Sequence, residues 1–233
     1  MVFNRIFTLS RYARILLMSR SVAAPKKSDT YHHGNLRQAL LDAARELASE
    51  IGVDGFTLRE VARRAGVSHA APYHHFSDKA TLVQALATTA FEQLTKAMLE
   101  AKLQHSEPLA ALRATGMGYI KFALGFPTEF RFMFRRNLGI SSQPNASQSD
   151  QLQQVSSAAY QVLLDAILEC QQAGLLTAND PQVMAMSAWS IVHGLSSIIL
   201  DGPVGTHHLN LQTEPLADAV IRTLIQGLEL RSN

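Results

Sequence analysis

Thr57, Arg59, Ser68, His69, Ala70, Tyr73, His74 and Lys79 bring a guanidinium, an ammonium, hydroxyls and imidazoles into one short stretch, with alanine among them. Such groups hydrogen-bond and ion-pair with phosphate oxygens and base edges, and small side chains let a backbone come close to a base. Arg59 is the candidate for a two-pronged guanine contact. His69 and Ala70 fall where base edges would be met, and Tyr73, His74 and Lys79 suit phosphates. Thr57 and Ser68 are candidate helix caps on the same surface. No Ser/His/Asp set, glycine-rich phosphate cradle or paired carboxylates accompany them, so no catalytic residue is expected.

A second group, Phe122, Phe126, Phe130, Met133, Phe134, Trp189 and His193, supplies an apolar wall with few polar handles, as a small-molecule site needs. Its expected occupant is apolar or aromatic and largely uncharged. Ordinary core packing is the commoner reason for such a stripe. The pairs His32-His33, His74-His75 and His207-His208 suggest metal ligands, but adjacent helical residues point about 100° apart. With no cysteine or carboxylate cluster to complete a shell, neither metal nor cofactor is expected. Cys170, the single cysteine, cannot form an intramolecular disulfide, and beside Glu169 it reads as a packing residue.

The net charge of +2 is unevenly spread. Arg5, Arg11, Arg14, Arg20, Lys26 and Lys27 against Asp29 give residues 1–30 six bases and one acid, +5, which leaves −3 for the rest. A sequence-indifferent DNA coater, whose affinity comes from a broad basic face, is thereby disfavoured. Residues 1–30 read as a disordered basic extension, with an over-long start before Met18 or a DNA-contacting arm as alternatives. The apolar run 15–18 is too short for a signal core or a membrane span, so a cytoplasmic, membrane-free protein is expected.

Positioning these groups falls to helices. Spacings of three and four recur along the chain, without two-residue alternation, which predicts an all-α fold. Leu36, Leu40, Ala43, Leu47 and Ile51 form one stripe, opened by an Asn35/Gln38 capping box and closed by Gly52. Thr57 and Glu60 form a second box before Leu58, Val61, Ala62 and Ala65, and Gly66 ends that helix. Ser68 would cap a third short helix, unless Pro72 delays its start. Ser77 or Asp78 caps a fourth carrying Leu82, Val83, Leu86, Ala90, Leu94 and Ala97. Further helices are expected at 109–126, 127–134, 150–173, 181–200 and 215–230, with a polar loop at 137–149. Two short helices around a glycine turn make a helix-turn-helix, within a three-helix head at 31–78 followed by a helical body at 79–233.

Thr57-Leu58-Arg59-Glu60-Val61-Ala62-Arg63-Arg64-Ala65-Gly66-Val67-Ser68, followed by Tyr73-His74-His75-Phe76-Ser77-Asp78-Lys79, resembles the signature of TetR/AcrR family transcriptional regulators. The lead-in Tyr31-His32-His33-Gly34-Asn35-Leu36-Arg37 is also similar. Ala188-Trp189-Ser190-Ile191-Val192-His193-Gly194-Leu195 resembles the Trp/His/Gly motif of one C-terminal subgroup. Pro72 departs from the leucine most members carry. The resemblance implies a homodimeric repressor that binds a palindromic operator in double-stranded DNA and releases it to a small-molecule inducer. The broad apolar stripes of the last two long helices are the expected dimer surface. A transcriptional activator is an alternative. So is a helical interaction module that no longer reads DNA, because charges nearly cancel between Tyr31 and Lys79.

Overall fold

The computed structural model describes residues 36–135, 146–202 and 212–229, and side chains from Asp150 onward in the second of these spans. The basic extension, the lead-in at 31–35, the His32-His33 and His207-His208 pairs and most of the loop expected at 137–149 lie outside them. Eight α-helices are described: α1 Leu36–Ile51, α2 Leu58–Arg64, α3 Lys79–Leu103, α4 Pro108–Gly125, α5 Pro127–Met133, α6 Ala146–Gln172, α7 Pro181–Asp201 and α8 Thr213–Leu228. A four-residue 3-10 turn, Ala71–His74, lies between α2 and α3. Among the described residues the only extended pairing is an isolated bridge of Leu176 with Glu229.

Local signals set most of the helix ends. The Thr57 hydroxyl accepts from the Glu60 amide while the Glu60 carboxylate accepts from the Thr57 amide, a complete capping box on α2. At the other end Gly66 takes φ +70°, and the Gly66 and Val67 amides donate to the Arg63 and Ala62 carbonyls. That left-handed exit needs glycine and turns the chain sharply toward the 3-10 turn at Ala71–His74. Gly55 is required for a different reason: a Cβ there would lie 2.2 Å from the Ile51 carbonyl oxygen. Asp78 caps α3 by accepting from the Thr81 amide, and Pro108, Pro127 and Pro181 open α4, α5 and α7.

Two expectations change, and the Asn35/Gln38 box lies outside the described residues, although Gln38 donates its side-chain amide to Asp42 at 2.9 Å. Ile51 is half exposed because the chain turns away at Gly52. Residues 146–149, expected in the polar loop, form the first turn of α6.

Burial divides the helices into two cores joined by α3 and α5. The head core gathers Leu40, Leu47, Phe56, Val61 and Phe76, and it takes Leu82, Val83 and Leu86 from the start of α3. Lower on α3, Ala90, Leu94 and Met98 join the body core with Tyr119, Ile120, Ile167 and Val192. The short α5 behaves likewise: Phe132 is fully buried in the head core, while Phe130 and Met133 belong to the body. Cys170 is fully buried in the body, and burial together with the adjacent Glu169 carboxylate pushes its thiol up to about 12. The buried Lys102 ammonium donates to Glu169 at 2.8 Å, the pairing that a charge removed from water requires.

Candidate nucleic-acid interface and ligand cavity

The face that carries the candidate DNA-binding residues is built by α2, the exit at Gly66 and the 3-10 turn. Pro72 is buried and anchors that turn, whereas Tyr73, His74 and His75 are exposed. The Ser68 side chain does not cap it. The Ser68 carbonyl accepts from Ala71, Ala70 stands at the cap position without a side-chain bond, and Pro72 sits in the first two residues of the turn. Proline decides this, since in a longer helix beginning at Ser68 it would remove an internal hydrogen bond. The presented element is therefore one tight turn, with Ser68, His69, Ala70, Tyr73 and His74 all exposed along it. Thr57, also exposed, is committed to the α2 cap, its hydroxyl bonded to Glu60 at 2.8 Å.

Charge on this head is less balanced than the sequence suggests, because its acids are engaged internally. Glu46 and Glu50 both bind Arg64, at 3.3 and 2.6 Å, tying α2 to α1. Asp42 accepts from Arg45, Glu60 and Asp78 are cap acceptors, and Asp54 pairs with Arg135. Arg59 and Arg63 are exposed on α2 and, among the described residues, form no ion pair within 4 Å. The face thus presents positive charge on a head whose formal charges nearly cancel.

Lys79 has a more structural position than a bare phosphate contact needs. Its ammonium lies 4.2 Å from the Phe56 ring centre and donates to the Asp54 carbonyl at 3.0 Å. Burial, and then the neighbouring Arg135, hold it below its usual value. Arg135 follows α5, so the Asp54, Lys79 and Arg135 group links head to body. Arg45 of α1 with Glu129 of α5, at 3.0 Å, makes a second link. Both pairings cross long sequence separations, and no local pattern announces them.

In the body, Phe122, Phe130 and Met133 are buried, Phe126 is half exposed, and Phe134 lies near the surface. Phe130 and Phe134 stack against His193 with ring centres 5.5 and 4.4 Å away, and Phe134 meets Trp189 edge-on at 6.5 Å. The Phe126 ring packs on Phe122, with ring centres 5.4 Å apart. Tyr119, which the sequence reading missed, stands at the centre. Its hydroxyl shares a 2.9 Å hydrogen bond with His193 Nδ1, and its ring packs edge-on against Trp189 and Phe130. It lies one turn before Phe122 on the same face of α4, a spacing that could have revealed it.

A small apolar cavity of about 30 Å³ lies beside this cluster, walled by α4, α7 and α8 with Met98 of α3 and Leu163 and Ile167 of α6. Of the seven nominated residues only Trp189 lines it. Phe122, Phe130 and Met133 pack in the body core, His193 is part-buried against it, and Phe126 and Phe134 reach toward solvent. Among the described residues no group of three or more His, Cys, Asp or Glu could hold a metal ion.

Burial lowers the His193 imidazole below its ordinary 6.5, so it is neutral in the folded protein at neutral pH. Between the lowered folded value and 6.5 the unfolded chain binds more protons. The associated stability is therefore present above 6.5 and is lost as pH falls through the folded value. Thermal melts stepped from about pH 7.5 to 5.5 should show that loss, and His193→Gln should reduce its slope. An unchanged slope would contradict a neutral, buried His193.

The chain's similarities fall on the same two parts. The sequence model for bacterial regulatory proteins of the tetR family matches residues 40–86, and that for the tetracyclin repressor-like C-terminal domain matches 112–224. The class A tetracycline repressor of transposon 1721 from Escherichia coli is 42% identical over 71 residues, 30% of this chain and 29% of that repressor. The match thus spans well under two thirds of that relative. A protein of unknown function from Rhodococcus sp. RHA1 is 31% identical with a TM-score of 0.73, over 87% of this chain and all of that one. The regulator PfmR of Thermus thermophilus shares the fold at 22% identity and a TM-score of 0.64, over 82% and 99% of the two chains. Head and body each match a tetR-type domain, in the order and at the positions the two cores define, and the chain belongs to the TetR family of bacterial regulatory proteins.

Proposed function

We propose that the protein is a homodimeric, ligand-responsive repressor that binds a palindromic operator and acts in the cytoplasm without catalysing a reaction. The observation that carries this reading is the head's exposed turn, flanked by Arg59 and Arg63, on a surface whose acids are already engaged. Arg59 would reach a guanine from α2, His69 and Ala70 would lie against base edges, and Tyr73 and His74 would hold phosphates. Thr57 and Lys79 would fix the head's shape while their remaining hydrogen-bonding capacity meets the backbone. Those engaged acids weigh against a pure interaction module.

Dimerisation is assigned to α7 and α8. Val183, Met186 and Ile198 are each more than half exposed on α7, while Ser187 and Ser190 return their hydroxyls to backbone carbonyls. A Cβ added at Gly194 or Gly227 would meet nothing within 4 Å, so the backbone there is open to a close neighbour. By length and composition α7 could also cross a membrane. A second copy on that face accounts for the same apolar surface in water. Two heads on such a bundle would address half-sites one duplex turn, roughly 34–36 Å, apart.

Ligand release would run through α3 and α5. Phe132 locks α5 into the head, and Phe130 and Phe134 lock it to Trp189 and His193, so a shift of these rings bears on the head. A ligand with higher affinity for the DNA-incompetent arrangement then shifts the population. Binding to DNA from upstream of the protein's own gene, measured by gel shift, tests the reading. Arg59→Ala should relax preference at one base position by about 1–3 kcal/mol while the fold stays intact. Equal losses on every sequence would make Arg59 a phosphate contact instead.

A further inference from the structure

Arg37 stands at the end of the buried face of α1. Positions 37, 41, 44 and 48 share one side of the helix, and Leu41, Ala44 and Ala48 are all buried in the head core. An arginine continues that apolar row in the first turn. Helical side chains lean toward the N-terminal end of their helix, so Arg37 overhangs the row instead of entering the core. Its guanidinium carbon lies 5.4 Å from the centre of the Phe76 ring, while the residue as a whole stays exposed.

Phe76 ties that contact to the exposed turn. It is buried, its amide donates to the Pro72 carbonyl at 2.9 Å, and it directly follows Tyr73, His74 and His75. The ring that holds Arg37 is therefore fixed to the element that carries Tyr73 and His74. A guanidinium laid against an aromatic ring keeps its N–H donors free for an oxyanion. Among the described residues Arg37 forms no ion pair and no side-chain hydrogen bond. Asp42, the first acid along α1, is taken by Gln38 and Arg45. Arg45 and Arg64 are neutralised by acids of α1 and α5, whereas Arg37 keeps its charge.

We propose that Arg37 binds a DNA phosphate, held by Phe76 so that α1 grips the backbone beside the turn. This rests on the reading of the head as a DNA-binding unit, and it adds α1 to a face otherwise built from α2, the Gly66 exit and the 3-10 turn. A phosphate contact positions the head and carries no base preference. It also releases condensed counterions, which the salt dependence of binding counts.

The plain alternative is that the arginine stem only shields Phe76 from water. Arg37→Met keeps an apolar cover and removes the charge, while Arg37→Lys keeps the charge and removes the fork. The full-length protein is titrated with a random-sequence duplex and with a genomic fragment that it captures. Arg37→Met should weaken both by the same factor and lower the slope of log affinity against log salt by about 0.9 per head. Its deficit against wild type should narrow about 3-fold per head between about 50 and 200 mM salt. Arg37→Lys should restore the slope, and Arg37→Gln repeats the charge removal if the methionine variant does not fold. An unchanged slope in a folded, uncharged variant, a loss confined to the captured fragment, or no rescue of the slope by lysine would overturn the proposal. A wild type that binds neither duplex would overturn the regulatory reading too, whereas salt-dependent binding that the variants leave untouched overturns Arg37 alone.

Discussion

Met186→Asp is expected to separate the dimer and to lower operator affinity by at least ~100-fold, because two linked heads gain about 10²–10⁴ in avidity over one. Met186 is more than half exposed on α7, in line with Val183 and beside the backbone-bonded Ser187 and Ser190. In one copy a carboxylate there would stay hydrated and cost little. Across a two-fold interface it would meet apolar surface, and near the axis its own copy, so the penalty falls on association. Sedimentation velocity should then give a monomer with an unchanged melting profile after allowance for protein concentration. A dimer that persists with full DNA affinity would place the interface elsewhere.

Phe132→Ala should destabilise the protein by about 3–5 kcal/mol, the range for deleting a large aromatic from a packed core. Its ring is fully buried among head residues although α5 belongs in sequence to the body. The consequence for function is larger than the loss of stability. With the ring gone, α5 keeps its contacts to the body through Phe130 and Met133 but loses its apolar hold on the head. Operator binding should survive under conditions where the variant remains folded, while ligand-induced release is strongly reduced. Denaturant melts provide the first number and DNA binding with and without ligand the second. A loss below about 1 kcal/mol, with release intact, would show that α5 is not the coupling element.

What could be read from residues alone was whatever neighbours settle. The Thr57/Glu60 box, the Gly66 exit and the Asp78 cap depend on side chains within a few positions, and all three form in the structure. Pro72 was legible as a conflict, since a helix from Ser68 and a proline one turn later are incompatible. The conflict resolves as a short 3-10 turn. The apolar richness of α7 signalled a surface needing cover, but nothing local says which of its residues face inward.

The ligand region was only half legible. Phenylalanines at helical spacing announce an apolar cluster, and that cluster forms. A cavity is where side chains are missing, and it depends on how α4, α7 and α8 meet. The useful signal was the small pair Thr115-Gly116 inside the stripe that runs from Leu112 to Tyr119. The ion pairs Arg45 with Glu129 and Arg135 with Asp54 join elements far apart in sequence. Charge counting over 31–79 set Arg45 and Asp54 against each other on the head, when each pairs with a residue of the body.

A footprint on genomic DNA captured by the full-length protein tests the central claim most directly. The expected pattern is a pair of inverted half-sites with centres about one helical turn apart, roughly 34–36 Å, bound by two chains and degraded at one base position by Arg59→Ala. Capture of DNA without sequence preference, or protection of a single half-site by a single chain, would contradict a two-headed reader built on residues 57–79.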